Sequence, residues 1–143
     1  MSALLIRKAL EVALAAMTPS MAIAYENQNF TPVVGAPYQQ IALLLAEPDN
    51  SLVGRAGMYR QDGFLQVDLK YPLDGAPGSI GGTEPATTRA ELIRSTFYRG
   101  ASFTASGVTV NIERTPEIMP ARVEEDRFVI PVRVRFYAFI PGV

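Results

Sequence analysis

Near the N-terminus, apolar positions recur at helical spacing. Ile6, Leu10, Ala13, Leu14 and Met17 share one face, and Leu5, Ala9, Val12 and Ala16 widen it. The pattern predicts a helix, with Ser2 as N-cap and Thr18-Pro19 as its stop. Met1–Ala24 also resembles a secretory signal, since Arg7 and Lys8 precede an apolar stretch. Glu11 at the front of that stretch, and Leu4-Leu5-Ile6 ahead of the charges, fit a signal poorly and favour a structural helix. No apolar run reaches the ~18 residues that a membrane span needs.

Beyond it the period shifts toward two. Ala22–Glu26 reads as a short strand and Asn27–Pro37 as a loop. In Tyr38–Ala46, Ile41, Leu43 and Leu45 lie on one face and Ala42, Leu44 and Ala46 on the other, which predicts a central strand buried on both sides. Glu47–Ala56 reads as an exposed loop. Gly57–Gln61 and Phe64–Tyr71 flank Asp62-Gly63, a hairpin signal. In Phe64–Tyr71, Leu65, Val67, Leu69 and Tyr71 oppose Gln66, Asp68 and Lys70. The glycine-rich stretch Pro72–Gly82 predicts a long loop.

A second helix is expected over Pro85–Arg99. Ala86, Ala90, Ile93 and Phe97 face inward, Arg89, Glu91 and Arg94 face outward, and Gly100 caps the end. Ala101–Ala105 and Val108–Thr115 flank a second hairpin signal, Ser106-Gly107. After a polar connection, Pro116–Asp126, the run Arg127–Ile140 alternates throughout. Phe128, Ile130, Val132, Val134, Phe136, Ala138 and Ile140 share a face, and Arg133 and Arg135 project from the other. Pro131 cannot donate to a ladder, so the strand should lie at an edge there or carry a bulge. The order is helix, four strands, helix, three strands. This predicts an α+β fold in a single domain over residues 1–143: a largely antiparallel mixed sheet of about 6–7 strands with two helices packed on one face.

Composition narrows the chemistry. Hydrophobic residues make up 48% of 143 and charged residues 19%, enough for a core and too apolar for disorder. The net charge of -1 gives no global attraction to nucleic acid or an anionic membrane. With no cysteine and no histidine, disulfides, thiolate catalysis, zinc–sulfur sites and most hydrolase triads are excluded. Asp62 with Asp68, and the run Glu124-Glu125-Asp126, are carboxylate groupings with a metal or acid–base flavour, and they read better as turn and solvated loop. Gly75–Gly82 lacks the pattern of a phosphate cradle. No catalytic, metal or cofactor residue is therefore expected. Of 13 basic residues only Lys8 and Lys70 are lysine, and arginine is enriched at protein interfaces where lysine is depleted. With six tyrosines, this points to a surface that meets other proteins.

Several stretches together resemble the tail-terminator-like proteins of tailed bacteriophages and prophages. They are Ile23-Ala24-Tyr25-Glu26-Asn27, Phe30-Thr31-Pro32 and Pro37-Tyr38; Gly63-Phe64-Leu65-Gln66-Val67-Asp68-Leu69, Tyr71-Pro72 and Gly75; Arg89-Ala90 and Phe97; Gly107-Val108-Thr109-Val110; and Ile130-Pro131-Val132. The resemblance implies a non-enzymatic virion protein, assembled in the host bacterial cytoplasm as a homohexameric ring. The ring would cap the head-proximal end of the tail tube, halt polymerisation of the major tail tube protein and dock the head–tail connector. DNA would pass through its lumen without specific binding, and no membrane is involved. Candidate interface residues are Tyr25, Asn27, Phe30, Tyr38, Arg55, Tyr59, Arg60, Gln66, Asp74, Arg133 and Arg135. The alternatives are another phage neck or tail-completion protein, and a small nucleic-acid- or ligand-binding α+β domain.

Overall fold

The N-terminal helix, α1, runs Ser2–Ala15 in the computed structural model, which describes residues 2–33, 35–50, 59–72, 84–124 and 127–140. Ser2 is already helical, so the expected N-cap falls inside the first turn. Ile6, Ala9, Leu10, Leu14 and Met17 are buried, while Val12 and Ala16 are exposed, so the apolar stripe is wider than the face that packs.

Three strands follow: β1 (Ala22–Ala24), β2 (Tyr38–Leu45) and β3 (Tyr59–Pro72). After α2 (Glu84–Thr96) come β4 (Ser102–Ala105), β5 (Val108–Ile112), β6 (Glu117–Ile118), β7 (Arg122–Glu124) and β8 (Arg127–Ile140). All eight strands of the described residues join one sheet in the order β1-β2-β3-β8-β5-β4, with β6 and β7 also pairing β8. Only β1–β2 is parallel. The fold is α+β, a largely antiparallel mixed sheet with both helices on one face.

The hairpin expected at Asp62-Gly63 does not form. These residues sit inside β3, a continuous strand of 14 residues that pairs with β8 from Tyr59↔Ile140 to Pro72↔Arg127. Gly63 serves close approach here. A Cβ on it would lie 2.4 Å from the Leu44 carbonyl oxygen and 2.9 Å from the Phe136 ring. The second signal does form its turn: Ser106 and Gly107 both take positive φ, 46° and 87°, between β4 and β5.

β2 is not the central strand. β1 covers only Tyr38–Gln40, and Leu44 and Leu45 are exposed, so β3 and β8 hold the middle. The Pro116–Asp126 connection contributes the short β6 and β7. Pro131 falls between the stretches of β8 that β6 and β7 pair, while its register with β3 is unbroken. Its carbonyl accepts from Met119 N–H, so the missing donor faces a local gap in the sheet.

The core lies between the helices and one sheet face. Leu65, Val67 and Leu69 of β3 and Ile130, Val132, Val134, Phe136 and Ala138 of β8 meet Ala86, Ala90, Ile93 and Phe97. Phe97 is fully buried, with its ring 5.1 Å from that of Phe103. Arg89, expected outside, is 4% exposed. It donates through Nη1 to the Pro19 carbonyl, its Nε and Nη2 have no partner among the described residues, and burial lowers its pKa.

Candidate functional site

Strand alternation places the partners of the core residues on the opposite sheet face, and among the described residues no helix covers that face. Arg60, Asp62, Phe64, Gln66, Asp68 and Lys70 of β3 lie beside Phe139, Tyr137, Arg135, Arg133, Pro131 and Val129 of β8. The side chains form three bands.

At one end, Arg60 Nε meets Asp62 Oδ1 at 2.6 Å and its Nη2 meets Glu113 Oε2 at 2.8 Å. The guanidinium sits 4.3 Å from the Tyr137 ring centroid. The Asp62 hydrogen bond raises the Arg60 pKa, so this group stays charged. At the other end, Lys70 lies 3.4 Å from Glu124, and Arg122 reaches Glu124 at 2.7 Å and Asp68 at 3.9 Å. Arg122, then Lys70, hold the Glu124 carboxyl below its usual range.

The middle band differs. Arg133 stacks 4.2 Å from the Phe64 ring and Arg135 lies 5.9 Å from it. Arg133 Nη2 donates to Gln66 Oε1 at 3.2 Å, and Gln66 Nε2 donates to Asp68. Neither arginine has a carboxylate within ion-pair reach among the described residues, and Arg133 Nε is buried without a partner. Exposed ion pairs of this kind contribute about 0–1 kcal/mol each. They fix the positions of flat cations and aromatic rings more than they hold the fold. That suits recognition of another surface. Among the described residues this face has no nucleophile paired with a base.

A corner beside this face is tied by long-range contacts. Phe30 stacks on Tyr38 at 4.9 Å, and the buried Arg127 lies 5.1 Å from the Tyr38 ring. Arg127 donates to the carbonyls of Val33 and Ala36, pinning the loop before β2. Nearby, Glu26 Oε1 accepts from Arg7 Nη1 and from the Leu43 amide, each at 2.7 Å. The carboxylate thus stands where a neighbouring strand would pair.

Burial opposes ionisation of Glu26, but the hydrogen bonds from Arg7 and Leu43 outweigh it and its pKa is lowered. A lowered carboxylate stabilises the fold above its unfolded value of 4.5 and loses that contribution as pH falls through the folded value. Glu11 runs the other way, raised by burial against the pull of Arg7. The clean measurement is therefore the difference between the parent and Glu26→Gln in chemical denaturation at several pH values. The variant should be less stable by about 1 kcal/mol near neutrality, with the gap closing in acid. A gap independent of pH would contradict the assignment.

The structure gathers Phe30 with Tyr38, and Arg60, Gln66, Arg133 and Arg135 along the open face. Tyr25 and Tyr59 are half-buried against the core. Asn27 occupies an exposed turn with φ 57°. Arg55 and Asp74, like the loop expected at Pro72–Gly82 beyond Pro72, lie outside the described residues. Sequence reasoning missed Glu26, Glu113 and Arg127. Their partners are distant in the chain, and only the unusual Arg127 at the head of a strand gave a local sign.

Comparison with known proteins places this geometry. A model of the phage tail terminator protein family matches residues 5–136. No curated protein matches. Six chains of solved structures match. One of them, which carries no descriptive name, superposes with a TM-score of 0.71 over 96% of both chains at 22% identity, a likeness of fold.

Proposed function

Because the chain belongs to the phage tail terminator protein family, a structural part of the virion tail, we propose that it assembles as a homo-oligomeric ring on the head-proximal end of the tail tube. Six copies form the ring on this reading. One face binds the last layer of major tail tube protein and halts its polymerisation, and the other docks the head–tail connector. Assembly takes place in the host cytoplasm, and the protein is not a catalyst. The observation that carries the reading is the family match along nearly the whole chain.

The open sheet face supports it. At both ends its cations are matched by carboxylates of the same chain. With a net charge of -1, a lumen bordered by such subunits would let DNA slide through without strong capture. Stopping growth needs an outward surface unlike the one that meets the tube, which a subunit with two different faces provides.

Gold-labelled protein mixed with preformed tubes of the cognate tail protein should decorate one end of each tube in electron micrographs. Label along the sides, or at neither end, would contradict the proposal. Arg133 and Arg135, without a carboxylate partner among the described residues, favour one rival, a nucleic-acid-binding domain, whose mark would be a sequence-independent, salt-sensitive shift of DNA.

A further inference from the structure

The sheet ends in two unlike edges. Past Gln40, β2 has no strand beyond it among the described residues. Ala46 N–H donates across to Asp62 on β3, so the backbone groups of Leu43 and Leu45 point outward. Glu26 occupies the Leu43 amide, and Leu45 is the next outward-pointing position along this edge. Leu44 and Leu45 are 47% and 42% exposed, and Glu47 just beyond is exposed with no ionic partner among the described residues.

At the opposite edge, β4 and the helices border an open, largely apolar groove of about 830 Å³. Val12, Ala13, Ala16, Leu92 and Phe103 line it, and Val12 is 60% exposed. Lys8 lines it too, exposed and with no ionic partner among the described residues. Of these, Val12 and Ala16 belong to the apolar stripe read from the sequence, and the core leaves both exposed.

We propose that the end of β2, Leu44–Glu47, of one copy docks into the α1–β4 groove of a second copy, joining the two sheets edge to edge. Leu45 shares the helix-bearing face with Ile41 and Leu43, so continuing the sheet from β4 into β2 brings it to the side where the groove lies. Glu47 then follows toward Lys8. The like-with-like arrangements are poorer. Two β2 ends would set Glu47 against Glu47, and two grooves would set Lys8 against Lys8 with nothing to fill the space. The contact is head-to-tail, so it propagates until it closes. It rests on the ring reading for that closure.

The chain has no cysteine, so engineered thiols report cleanly. Ala16→Cys mixed with Leu45→Cys should give a disulfide-linked dimer under oxidation, neither variant alone should crosslink, and the double variant should give a ladder. Lys8→Glu should weaken association about tenfold, and adding Glu47→Lys should restore it. Self-crosslinking of either single variant would overturn the proposal. So would an uncrosslinked mixture that native mass spectrometry shows to be multimeric, a result that leaves the ring reading standing. Unchanged association of Lys8→Glu, or no recovery in the double charge swap, also counts against the contact. A chain that stays monomeric even with tube ends present removes both this contact and the ring.

Discussion

Phe97→Ala is expected to cost about 3–5 kcal/mol, against the ~5–15 kcal/mol that typical domains have in total. Phe97 follows the last turn of α2, is fully buried, and donates its backbone N–H to Ile93 O at 2.9 Å. Its ring meets Phe103 on β4. Truncation opens a cavity where the second helix, the sheet and the β4–β5 hairpin meet, and Gly100 with φ 90° fixes the chain direction just beyond, so collapse is hindered. Equilibrium denaturation checks this. A variant that unfolds at the parent's midpoint would mean that Phe97 does not close the core.

Gly63→Val should destabilise by about 3 kcal/mol, the upper end for overpacking, because one of the atoms in the way is backbone. The Leu44 carbonyl oxygen cannot turn aside without shifting β2, and the Phe136 ring on β8 blocks the other direction. The strain falls on the strand that holds both neighbours. Gly63→Ala should show a smaller loss of the same origin. Parent-like melting of both variants would contradict the close approach.

These two positions also show what could be read from the chain and what could not. The buried stripe ending at Phe97 follows from helical spacing, and Arg127–Ile140 from strict alternation, because both depend on neighbours within a turn or a pleat. Asp62-Gly63 and Ser106-Gly107 carry the same local signal. Only the second turns, because β8 supplies a partner for all of β3 and a tertiary ladder overrides a turn preference. Arg89 was misplaced for a similar reason: its acceptor, Pro19, lies 70 residues away.

The same limit applies to the surface. Arg133 and Arg135 were legible as the polar side of an alternating strand, and they do line the open face. The bonds from Glu26 to Leu43 and from Arg127 to the loop at 33–36 join segments that only the folded topology brings together. The exposed edges that would link one copy to the next are likewise visible only once the strand order is known, since β4 and the stretch of β2 that β1 leaves uncovered lie on opposite sides of one sheet.

The most direct measurement of the functional account is tube length. The cognate major tail tube protein is polymerised with and without this chain, at amounts far below one copy per tail protein, and lengths are measured by electron microscopy. The account predicts overlong tubes without it, and shorter tubes bearing a ring at one end with it. Unchanged lengths, with no ring at either end, would contradict it.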